Sequence, residues 1–216
     1  MKITICYLYY DLLNLYGENG NIKALYNHIS NQGINVDIKY VSINDKKEFD
    51  KYDVIYIGSG TNDNLLLALK DLINYKDDIK KYINNNNFIL STGNSIELFG
   101  DYILKDNKKI KCLGLINYYT KYNDTRIVKD VKYNNKYINY PIIGFENHYG
   151  ITQGISDNFI ELNNFIGTYV IGPLLIRNPY FCEFYVSKII KSKNKDFKLK
   201  KDNYNLEIMA YEKEVN

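Results

Sequence analysis

The chain has 216 residues, is 45% hydrophobic and carries a formal net charge of +3, enough apolar material for one sizeable core. So small a charge gives no reason to expect nucleic acid, and no apolar run is long enough to cross a bilayer, so no membrane insertion is expected. Met1 to Ile5 enters a strand-like run without a signal-peptide cleavage pattern, and the three cysteines, Cys6, Cys112 and Cys182, stand apart in apolar surroundings. These features lead to the expectation of a cytoplasmic protein with reduced core thiols. Two histidines, His28 and His148, are too few for a His-rich metal cluster, and no cofactor is expected.

In chain order, residues 3–10 read as a buried strand and 20–31 as a helix with Ile22, Leu25, Tyr26 and Ile29 on one face. Strands follow near 35–41 and 53–58. Leu65, Leu66, Leu69 and Leu72 mark a helix over 62–75, and a short helix near 77–82 precedes a strand at 88–91. That alternation predicts an α/β fold with a parallel sheet flanked by helices. The second half reads differently, with short β-rich segments near 113–119, 126–133, 136–139 and 142–146 and a hairpin turn at Asn134-Asn135. Pro179 opens a final helix through about Lys191. No linker rich in Gly, Pro or Ser interrupts the chain, so residues 1–216 are read as a single domain. Lysines 188, 191, 193, 195, 198, 200 and 201, interleaved with Asp196 and Asp202, read as a solvated face.

The segment Phe88 to Gly100 carries the most chemistry. An apolar strand runs into the small residues Ser91-Thr92-Gly93-Asn94-Ser95, and an apolar helix is expected at once. This is how α/β enzymes hold a nucleophile at the carboxyl edge of a sheet. The nucleophile's position is Gly93, which has no side chain. An elbow holds its central residue in a backbone conformation that costs roughly 1–3 kcal/mol for most residues, and glycine adopts it most cheaply.

Several motifs together resemble the glutaminase subunit of lipid II isoglutaminyl synthase, in the class I glutamine amidotransferases, cobyric acid synthase branch. They are Tyr10 to Asn21, with Leu15-Tyr16-Gly17-Glu18-Asn19-Gly20-Asn21 at its end; Ile57-Gly58-Ser59-Gly60-Thr61; Gly144 to Gly150; and Gly167 to Leu175. The resemblance implies a flavodoxin-like parallel core and an elbow Cys that attacks the glutamine amide with help from a His. It also implies a Mur-ligase-like partner that receives the ammonia and amidates a peptidoglycan precursor. Carried over by position, the Cys falls on Gly93 and the His on Ile171. No catalytic residue is therefore assigned, and the chain is read as a homologue without glutamine hydrolysis. Two alternatives stand beside that reading: an active ammonia donor using unconventional residues, and a small-molecule sensor.

The residues left to contact glutamine or another small carboxylate are Arg126, Gly58, Gly60 and Asn94. Arg126 matches a segment where the family carries a substrate-binding Arg, and its guanidinium suits a carboxylate; an edge-strand surface Arg is the competing reading. Only Arg177 accompanies it in a Lys-rich chain. Gly58 and Gly60 match the family's oxyanion loop, or an ordinary α/β connection. Ser91, Thr92 and Ser95 are either substitute nucleophiles served by His148 or turn and cap residues. Asp63 is expected in the first turn of its helix and Glu97 on a solvated face.

Overall fold

A computed structural model describes residues 1–200 and 205–215. Its first half alternates as the apolar periodicity predicts: β1 (Lys2–Leu8), α1 (Asn19–Asn31), β2 (Asn35–Val41), β3 (Val54–Ile57), α2 (Asn62–Leu72), α3 (Lys76–Asn84) and β4 (Phe88–Thr92). With β9 (Ile160–Leu162) and β10 (Phe165–Thr168) these strands form a six-stranded sheet in the order β2-β1-β3-β4-β10-β9, parallel except for β9. The expected α/β architecture holds.

Period-two alternation splits the core across this sheet. Ile3, Ile5, Tyr7, Val54, Tyr56, Phe88 and Leu90 face one apolar cluster, which includes Ile22, Leu25 and Ile29 of α1. Cys6, Leu8, Ile55, Ile57 and Ile89 face the other, with Leu65 and Leu69 of α2 and Ile79 and Ile83 of α3. The first face is completed by α5 (Pro179–Lys193), which Pro179 opens at its N-terminus as expected. α4 (Leu174–Arg177) precedes it, and α6 (Asn205–Val215) packs against both. Lysines 188, 191, 193, 195, 198 and 200 are exposed, whereas Lys201 and Asp202 lie outside the described residues.

The second half departs from the expected short segments. β7 (Tyr119–Tyr133) and β8 (Ile142–Gln153) form one long antiparallel pair, joined by 134–141 rather than by a two-residue turn. Residues 113–118 are a covering loop, whose Leu113, Leu115 and Ile116 amides donate to the carbonyls of Leu98 and Phe99. Residues 136–139 also lack strand pairing; Tyr137 joins an aromatic group with Phe159, Phe181 and Phe184. In both segments apolar side chains cover the core without forming a ladder, which local hydrophobicity does not distinguish. The hairpin β5 (Tyr102–Lys105) and β6 (Lys108–Lys111) is an addition to the expected set. Its two-residue turn, Asp106-Asn107, has positive φ at both positions.

One side chain ties β8 to α4. Asn178 accepts from the Ile143 amide and donates to the Ile143 carbonyl, both at 2.8 Å, and also donates to the Leu174 carbonyl. It is 1% exposed, so truncation strands buried groups that water does not reach. Asn178→Ala is expected to cost about 2–4 kcal/mol, read from the urea midpoint; a loss below ~0.5 kcal/mol contradicts this role.

Candidate functional site

The carboxyl end of β4 delivers Gly93 at the middle of the parallel sheet, with φ +64°. Here a glycine matters, because that region is costly for most side chains. The chain continues as a 3-10 segment, Gly93–Phe99, and not as the expected α-helix. All seven of its residues are buried, so it runs through the core beneath a second, four-stranded sheet in the order β6-β5-β7-β8. Ile171 reaches the same point from the loop after β10. It is held by a two-bond bridge to Phe145 of β8, at 3.1 and 2.9 Å. A Cβ built on Gly93 would lie 3.0 Å from Ile171 Cγ2 and 2.5 Å from both Cβ and Oγ of Ser59. The two positions therefore meet, and the space a side chain at 93 would take is filled.

Above this floor lies a cleft of about 470 Å³, lined by Leu15, Tyr16, Gly60, Thr61, Asn62, Asn94, Arg126, Asn147, His148 and Tyr149. Arg126, Gly60 and Asn94 thus come together. Gly58 does not join them. Its α-carbon faces the 13–18 loop, where a Cβ would lie 2.7 Å from Glu18 Cγ, so Gly58 fixes the loop from behind. Arg126 sits in the irregularity of the β7–β8 pairing between Tyr122 and Ile127. Its Nη2 donates to the Tyr16 hydroxyl at 2.6 Å, and the guanidinium lies 5.5 Å from the Tyr149 ring centroid. The bulge turns this exposed cation over the cleft mouth.

His148 lies on the cleft wall, 6% exposed and stacked 3.8 Å from the Tyr169 ring. Its Nδ1 lies 2.6 Å from the Gly150 carbonyl, so Nδ1 carries the proton and donates. Among the described residues its Nε2 makes no hydrogen bond, and it stands 3.5 Å from Glu146 Oε2. Burial pushes the Glu146 carboxyl up, but contacts from His148, Tyr133 and Lys129 outweigh it and hold the pKa below the usual value.

The hydroxyls near the elbow are committed elsewhere. Ser95 Oγ contacts the carbonyls of Ile57 and Thr92 at 3.1 and 2.9 Å and Ser91 Oγ at 2.7 Å. Thr92 donates at 2.9 Å to Glu18 Oε2, which also accepts from Tyr56 and from Asn21. These groups are fully buried beneath the elbow, away from the cleft lining. Thr92 makes no side-chain cap bond to the segment it opens; these hydroxyls serve a buried hydrogen-bond network instead. Burial also keeps the Cys6, Cys112 and Cys182 thiols neutral, with Cys112 pushed up to about 12.

Two carboxyls depart from their expected settings or were unanticipated. Glu97 is 1% exposed rather than solvated, because the second sheet covers it; Gly150 packs directly on its Oε1. Desolvation raises its pKa to about 8 against hydrogen bonds from Tyr122 and Tyr169. Glu18, within the Leu15 to Asn21 motif, is raised to about 7 by desolvation, against hydrogen bonds from Tyr56, Thr92, Ser59 and Asn21. Its neighbour Asn21 accepts from the Leu175 amide at 2.7 Å, which ties α1 to the segment after Ile171. That motif is largely a brace under the site. Asp63 does lie in the first turn of α2, whose N-cap is Thr61.

A model of the CobB/CobQ-like glutamine amidotransferase domain matches residues 4–174. The chain belongs to that family. It is 29% identical over 213 residues to the lipid II isoglutaminyl synthase (glutamine-hydrolyzing) subunit GatD of Streptococcus pneumoniae, covering 89% of this chain and 82% of the relative. It is 28% identical over 227 residues to the protein of the same description from Staphylococcus aureus, covering 97% and 93%. A crystal structure described as a glutamine amidotransferase superposes with a TM-score of 0.52 at 12% identity, covering 83% of this chain and 98% of that one. This last likeness supports the fold alone. Among the described residues no helix is long and apolar enough to cross a membrane.

Proposed function

We propose that this chain is the glutaminase-like subunit of a lipid II isoglutaminyl synthase type complex and does not hydrolyse glutamine. The supporting observation is the meeting of Gly93 and Ile171, an empty nucleophile position beside an aliphatic side chain where a base belongs. Amide hydrolysis of this kind needs a nucleophile and a base to activate it. The relatives are named as subunits of lipid II isoglutaminyl synthase, which sets the context; the partner implied by the family resemblance is a Mur-ligase-like subunit, and the setting is the cytoplasm. Co-purification with the Mur-ligase-like protein of the same cell tests this. A stable one-to-one complex supports the reading, and no association at micromolar concentrations contradicts it.

Within this reading the cleft still takes a small carboxylate such as glutamine or glutamate. Arg126, above the Tyr149 ring, supplies the cation; Gly60 and Asn94 form the inner wall, and Gly58 shapes their loop. A charge-assisted bidentate pair contributes about 1.5–3 kcal/mol. Arg126→Ala is expected to weaken binding ten- to hundredfold by calorimetric titration without lowering the melting temperature, because Arg126 is exposed. Equal affinity in the variant removes Arg126 from the site.

A further inference from the structure

Asn94 follows the elbow residue and is 5% exposed, and its side chain makes three hydrogen bonds. Its Oδ1 accepts from the Gly60 amide at 3.1 Å and from Ser59 Oγ at 3.1 Å; its Nδ2 donates to the Gly60 carbonyl at 2.9 Å. The carboxamide thus bonds both backbone polar groups of Gly60, its N–H and its C=O. An oxyanion hole works through free N–H donors aimed at where a carbonyl oxygen will sit. Here that N–H of the 57–61 loop already serves an amide oxygen supplied by the chain itself.

We infer that Asn94 is an internal occupant of the oxyanion position, a built-in carboxamide that excludes the side-chain amide of an incoming ligand. The inference rests on the reading of the chain as non-hydrolysing, and it adds a third barrier to the missing nucleophile and base. Geometry supports it independently. The Asn94 amide lines the cleft floor, and Ser59, which also bonds Oδ1, occupies the space above Gly93. A carbonyl reaching for Gly60 N–H has to displace the Asn94 Oδ1 that already accepts from it.

Two measurements test this. The first is hydrogen exchange at the Gly60 amide in the unmodified protein and in Asn94→Ala. Exchange at least tenfold faster in the variant, with other amides of β3 and β4 unchanged, is expected; an unchanged rate overturns the inference. The second compares glutamine hydrolysis by Gly93→Cys/Ile171→His/Ser59→Gly with and without Asn94→Ala. Loss of one oxyanion donor costs roughly 100- to 1,000-fold in kcat, so Asn94→Ala is expected to raise the rate by about that factor. Equal, measurable rates overturn the inference while leaving the proposed function intact. Hydrolysis by the unmodified protein overturns the proposed function. If neither multiple variant turns over, the Gly60 exchange result decides.

Discussion

Purified protein, alone or with its partner, is expected to release no ammonia from glutamine above background. On the proposed reading the nucleophile position falls on Gly93 and the base position on Ile171, and the nearby hydroxyls of Ser95 and Thr92 are bonded to carbonyls or buried against Glu18. Restoring only the thiol with Gly93→Cys is expected to leave the protein inactive for two physical reasons. General-base assistance is worth about 100- to 10,000-fold, and no imidazole stands beside residue 93. The added Cβ would also lie 2.5 Å from Ser59, in a backbone conformation that strains a side chain. Gly93→Cys is therefore expected to lose stability as well, by about 1–3 kcal/mol. Saturable ammonia release from the unmodified protein, abolished by Ser95→Ala or His148→Ala, would sink this expectation and restore the unconventional-enzyme alternative.

A second large effect concerns pH. Glu18 and Glu97 have folded-state pKa values of about 7 and about 8, both raised by desolvation from a reference of 4.5. Between pH 4.5 and those values the folded chain holds protons that the unfolded chain has released. Stability therefore falls as pH rises through this window and levels off above about pH 8. Each raised unit corresponds to about 1.4 kcal/mol, so the two groups together withdraw several kcal/mol between about pH 5 and pH 8.5. Glu97→Gln keeps the shape of the neutral carboxyl and cannot ionise. The variant is expected to match the unmodified protein near pH 5 and to exceed it by about 2–5 kcal/mol at pH 8.5. For a domain of this size that is a gain of roughly 4–15 °C in melting temperature. Thermal melts of both proteins across pH 5 to 9 provide the check. Parallel curves would show that Glu97 ionises at its ordinary pKa and that its burial is relieved in solution. The corresponding change at Glu18 is expected to be smaller, because Tyr56, Thr92 and Asn21 already donate to its carboxylate.

The local sequence determines a good deal of this protein. Alternating apolar residues at 3, 5, 54, 56, 88 and 90 face one side of the sheet, and those at 6, 8, 55, 57 and 89 face the other. Such periodicity is a property of neighbouring residues, so β1, β3 and β4 are legible without the fold. The small-residue turn after Phe88 to Leu90 and the glycine at its apex are legible for the same reason. Gly93 adopts the positive φ that the turn demands.

Other features depend on which distant segments lie on top of one another. Glu97 has helix-like apolar neighbours and reads as a solvated residue. It is buried because β7 and β8, more than twenty residues later, close over it. Asn21 is a polar residue in a polar stretch of its motif, yet it is 0% exposed because α4 folds back to meet its side chain. Gly58 and Gly60 are two residues apart and read as equivalents, yet only Gly60 reaches the cleft. The 13–18 loop packs against the other. The pairing of the Asn94 side chain with the backbone N–H and C=O of Gly60 joins residues 34 positions apart. A side-chain amide at a turn carries no local mark of its partner. Hydrogen bonds between separate loops form only once the parallel sheet has brought the ends of β3 and β4 side by side, and that is a property of the tertiary structure.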